Sequence, residues 1–131
     1  MWQTPEHRLS SAGSAVAEVY HGAMTTAAAE LETEIRRLRI RIISLTTAQL
    51  DEAASPAPSR RAAIREALTE FSQIGSDARP VPALGDQNLA DQVVVLLEHG
   101  QRSAQSLPEP DRENRIVTLT EAAVRLRRTL A

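Results

Sequence analysis

The sequence predicts an all-α fold: an up-down bundle of four main helices in a single domain over residues 1–131, the first helix long and free to bend at Gly22. Three observations carry that expectation. Apolar residues recur at helical spacing in successive stretches of the chain. Proline and glycine cluster between those stretches, where they punctuate helices. Alanine and arginine, both good helix formers, dominate the composition. At 131 residues the chain is near the commonest domain size and long enough to bury a core without disulfides or metals.

The first helix is expected from about residue 5 to residue 53. Thr4-Pro5-Glu6 supplies a capping residue, a proline for the first helical position and an acid in the first turn. Leu9, Ala12, Val16, Val19, Tyr20 and Ala23 then form a stripe. Gly22 is the candidate break before Ala53, and an interior glycine costs only about 1 kcal/mol. From Ala28 the seam sharpens, with Leu31, Ile35, Leu38, Ile42 and Leu45 at alternating spacings of three and four. Ile40, Ile43 and Leu50 lie off that seam as a second apolar stripe. A helix with two apolar stripes needs cover on two sides.

Ser55-Pro56-Ala57-Pro58-Ser59 stops the first helix, and Ser59 caps the second. Its apolar face is Ile64, Ala67, Leu68, Phe71 and Ile74, and Gly75 stands where a terminating glycine belongs. The segment from Gly75 to Gly85, with Pro80 and Pro82, reads as non-helical. Asp86 then caps a third helix with the stripe Leu89, Val93, Leu96 and Gly100, ending at Ala104 or Leu107. Val93-Val94-Val95 has strand propensity, but the flanking pattern and the Glu98–Arg102 spacing favour helix. After Leu107-Pro108-Glu109-Pro110, Ile116, Leu119, Ala123, Leu126 and Leu130 mark the last helix. Acids in its first turn and Arg125, Arg127 and Arg128 in its last suit the helix dipole.

Composition removes several function classes. The chain has no cysteine, which rules out disulfides, thiolate zinc sites and cysteine nucleophiles and fits a reducing, cytoplasmic setting. Its start shows no basic and apolar signal pattern, and Val93 to Leu97 is far too short an apolar run to cross a membrane. All 15 basic residues are arginine, yet the net charge is −2, so no basic footprint for duplex nucleic acid emerges. Trp2, Tyr20 and Phe71 are the only aromatic residues, too few for a base-stacking platform, and a core of small aliphatics leaves little room for a large pocket. Glu-x-x-Glu and Glu-x-x-Asp pairs, which helical nucleotide pyrophosphatases use to hold magnesium, are absent. So are a glycine-rich phosphate loop, a Gly-x-Ser-x-Gly elbow and a His-Glu-x-x-His motif. No cofactor is implied.

Three sets of residues remain as candidates. Glu18 and His21 have the Glu-x-x-His spacing with which di-iron bundles ligate metal, although neither His7 nor His99 repeats it. Arg36, Arg37, Arg39 and Arg41, extended by Arg60, Arg61 and Arg65 across the helix hairpin, could bind an anion or a partner. Leu31, Ile35, Leu38, Ile42 and Leu45 could serve self-association, because three shorter helices cover only part of a long first one. A homodimer is the simplest cover, and a turn at Gly22 would instead give a five-helix monomer. The sequence points to a non-enzymatic helical interaction protein acting as adaptor, accessory subunit or regulator. Its alternative is a metal-binding bundle protein or enzyme built on Glu18 and His21.

Overall fold

The computed structural model describes residues 26–76 and 80–131, and within them the protein is an all-α helical bundle. Helix α1 occupies residues 26–43, α2 Thr47–Asp51, α3 Arg60–Ile74, α4 Leu89–Ala104 and α5 Asp111–Leu130, with a 3-10 turn at Asp86–Asn88 before α4. The Thr4-Pro5-Glu6 start, the stripe from Leu9 to Ala23, the Gly22 break and the Glu18/His21 pair all lie outside the described residues.

The first helix ends well short of residue 53. Its backbone leaves the helix at Ser44, and Thr46 opens α2 with a complete capping box: its hydroxyl accepts from the Gln49 N–H at 3.1 Å while the Gln49 side chain accepts from the Thr46 N–H at 2.9 Å. Thr-x-x-Gln is a start signal written inside what the apolar periodicity presents as one helix. The break changes which stripe is buried. Leu50, off the seam in a straight helix, turns inward on α2 and is 5% exposed.

Ser59 caps α3 as expected, its hydroxyl accepting from the Ala62 N–H at 3.0 Å. Gly75 plays a different role from the one its position suggests. Its φ is −74°, and the left-handed residue that ends α3 is Ser76 at 62°. A Cβ on Gly75 would stand 3.2 Å from the Gly100 Cα, and one on Gly100 would stand 2.9 Å from Leu119 Cδ1. The two glycines therefore allow close contact between the end of α3 and α4, and between α4 and Leu119 of α5.

Those contacts also fix direction. Arg61 at the start of α3 pairs with Asp86 before α4, and Gly75 at its end meets Gly100 near the end of α4, so α3 and α4 run the same way. Direction reverses between α4 and α5, where Gly100 meets Leu119 and Ser103 meets Arg115. The connection from Ser76 to Asp86 makes this possible: about 20 Å of α3 must be retraced, and ten extended residues reach roughly 33 Å. Asp86 consequently sits in the 3-10 turn and makes no capping bond to α4, whose N-cap is Asn88.

Among the described residues the core is aliphatic around the ring of Phe71. Phe71 is fully buried, as are Leu31, Leu38, Ile64, Leu89 and Leu119. The seam proposed for self-association, Leu31, Ile35, Leu38, Ile42 and Leu45, lies in that core at 8% exposure or less. It packs inside the chain and is not available to a second copy. Two polar links hold α1 against α5. Arg41 donates through Nε to the Leu130 carbonyl at 2.9 Å, satisfying one of the free carbonyls at the end of α5. Glu34, 5% exposed, accepts from Arg127 Nε at 2.7 Å, Arg127 Nη2 at 3.2 Å and Arg37 Nη1 at 2.9 Å.

Candidate interaction site

Among the described residues the outer face of α1 carries the two most exposed large apolar side chains. Ile40 and Ile43 are 67% and 59% exposed. Arg36 and Arg39 are also exposed, and neither makes an ion pair or hydrogen bond among the described residues. Positions 36, 39, 40 and 43 fall at the i, i+3, i+4, i+7 spacing that puts them on one helix face. The result is a ridge of two isoleucines flanked by two free guanidinium groups.

The other predicted arginines are spent internally. Arg37 pairs with Glu34 and Arg41 caps α5. Arg60 donates to the Gln49 carbonyl at 3.0 Å and pairs with Glu52. Arg61 is held by Asp51 and, in a two-pronged contact of 2.7 and 2.8 Å, by Asp86. Arg65 donates to the Leu84 carbonyl at 3.0 Å, with Asp86 3.9 Å away. The Arg61 fork holds the Asp86 carboxyl below the ordinary aspartate range against the opposing effect of burial, and Asp86 in turn raises the guanidinium of Arg61. Arg41 and Arg65 thus serve different elements, and the seven residues do not gather into one anion site. Of the seven, only Arg36 and Arg39 are exposed without an ion pair or hydrogen bond among the described residues.

Glu34 shows why the block of alternating acids and bases on α1 is not a plain solvated face. Burial pushes its carboxyl up, but the hydrogen bonds and charges of Arg127 and Arg37 outweigh that, and its pKa falls below the usual 4.5. Arg127 is raised by the same contact. This pair is structural.

A second surface feature escaped the sequence reading. A cleft of about 500 Å³ runs along the outer side of α4, walled by Val81, Pro82 and Leu84 from the connection and by Val95 and Leu96 from the helix. Gln92 pins the wall by donating from Nε2 to the Pro82 carbonyl at 2.9 Å. The only hint in the sequence is Val95, 58% exposed, which stands off the core stripe of α4. The expectation that small aliphatic side chains leave little room for a pocket fails at this surface.

Among the described residues no group of three histidine, aspartate or glutamate side chains could hold a metal ion, and no helix is long and apolar enough to cross a membrane. Glu18 and His21 are not among them. Comparison of the chain with protein-family models, curated proteins and solved structures finds no match.

Proposed function

We propose that the chain is a non-enzymatic helical interaction protein, an adaptor, accessory subunit or regulator, that receives an amphipathic partner helix on the outer face of α1. The observation that supports this is the pairing of exposed Ile40 and Ile43 with the unpartnered Arg36 and Arg39 on one face. Exposed apolar residues rimmed by charge are the common form of a docking surface. The complementary partner carries apolar residues flanked by aspartate or glutamate. Arginine also offers its methylene stem to apolar contact while its head binds a carboxylate. The lack of cysteine fits work in the cytoplasm.

Charge favours such a partner over a homodimer at this face. An antiparallel second copy centred on the isoleucines would set Arg39 level with Ser44 and Arg36 level with Thr47, both past the end of α1 at residue 43. It would also bring the two Arg39 residues within about 8 Å along the axis and give neither a carboxylate.

The test is site-specific photo-cross-linking in the native host, with a benzophenone residue at position 43 and, as control, at the exposed Glu121 position of α5. An adduct at position 43 alone, mapping to an acidic amphipathic segment and lost in the Arg36→Glu, Arg39→Glu double variant, is the expected result. Equal adducts at both positions, or adducts indifferent to charge reversal, would overturn the reading. An adduct of the chain with itself would replace the acidic partner by a homodimer.

A further inference from the structure

The cleft along α4 has charges at its two ends and apolar walls between them. Asp91 stands at the end nearest the start of α4 and Arg102 at the other, and both line the cleft. Eleven residues of helix separate them, roughly 16 Å. Both are exposed, and neither makes an ion pair or hydrogen bond among the described residues. Between them lie Val95 and Leu96, facing Val81 and Pro82.

We infer that this cleft binds a short extended peptide segment of about five residues, apolar in the middle, basic at one end and acidic at the other. Length sets the size of the occupant, because five extended residues at about 3.3 Å each match the span between Asp91 and Arg102. Charge sets the ends: a lysine or arginine lies against Asp91 and a glutamate or aspartate against Arg102. The volume of about 500 Å³ falls within the ordinary range of ligand-binding clefts. The cleft is built from α4 and the connection, so it is independent of the α1 ridge.

The experiment uses the full chain and four pools of capped, fluorescein-labelled pentapeptides read by fluorescence anisotropy. Each pool carries alanine, valine, leucine or proline at the three central positions. The outer residues are Lys and Glu, Glu and Glu, Lys and Lys, or Gln and Gln. The Lys/Glu pool is expected to bind at least about fivefold more tightly than each of the others, the scale of an exposed ion pair made at one end. Arg102→Glu should move the preference to the Lys/Lys pool, and Val95→Asp should abolish binding to all four. Both residues are exposed, so neither change threatens the fold. Equal binding of the Gln/Gln and Lys/Glu pools, an unchanged ranking with Arg102→Glu, or binding of no pool would overturn the inference. Arg36→Glu should leave every affinity unchanged, which separates this site from the α1 ridge.

Discussion

Removing the Glu34 carboxylate tests the polar tie between α1 and α5. Glu34→Gln keeps the shape of the side chain and deletes the charge that receives three guanidinium hydrogen bonds. Taking one partner from a buried pair costs about 3–5 kcal/mol when the other is stranded. Here the Arg127 side chain keeps 32% exposure against 7% for Glu34 and can rehydrate, so the expected loss is about 2–3 kcal/mol. For a domain of this size that is a fall of roughly 6–12 °C in Tm, at about 3–4 °C per kcal/mol. Urea unfolding of the wild type, Glu34→Gln, Arg127→Gln and the double variant at pH 7 gives a closed cycle, with a coupling of about 1–2 kcal/mol expected. The dependence on pH has a definite sign. The folded carboxyl titrates below its usual 4.5, so its contribution is complete above that value and is lost as pH falls through the lower, folded one. The gap between wild type and Glu34→Gln should therefore close as pH drops below 4.5. A coupling under about 0.5 kcal/mol, within ordinary additivity, or a gap that stays constant from neutral to acid pH, would refute the argument.

Gly100→Ala should destabilise by about 1–2 kcal/mol in urea unfolding even though alanine is the better helix former, because the added methyl meets fully buried Leu119 at 2.9 Å. Thr46→Ala removes the hydroxyl half of the α2 capping box and should cost about 1 kcal/mol by the same measurement, with Thr46→Ser close to wild type. Asp86→Asn should lose about 1 kcal/mol at neutral pH, a modest figure because Asp86 is a third exposed. Since Arg61 holds that carboxyl below its ordinary 3.8, the deficit should vanish as a denaturation series is carried to lower pH.

Much of the fold is legible because apolar spacing and helix punctuation act locally. The stripe Ile116, Leu119, Ala123, Leu126 and Leu130 is buried without exception, and Ser59 caps as its position suggests. The end of α1 was hidden because its seam continues in phase to Leu45, two residues past the last helical one. There the Thr46–Gln49 box, a side-chain effect of about 1 kcal/mol, outweighs a pattern that could have run on. Asp86 misled for a different reason. A good capping residue at a helix start is also a good partner for an arginine, and Arg61 lies 25 positions away, where no local pattern reaches. The parallel course of α3 and α4 is a matter of how far the connection can travel, which its length permits but does not dictate.

The candidate surface was half legible for a geometric reason. At about 100° per residue, Ile40 lies roughly 200° around α1 from Leu38. No packing of α3, α4 and α5 on one side of the helix can bury both. The sequence therefore shows that two faces are apolar but not which one the bundle takes. That choice is made by residues far along the chain: Arg127 grips Glu34 and Arg41 grips the Leu130 carbonyl. Together these contacts fix the rotation of α1 about its axis, with Leu31, Ile35, Leu38 and Ile42 turned inward. Ile40, Ile43, Arg36 and Arg39 are then held outward by the same two contacts. The exposed ridge is thus a consequence of the most buried ion pair in the described protein, and a partner that docks on it meets a face already set in orientation.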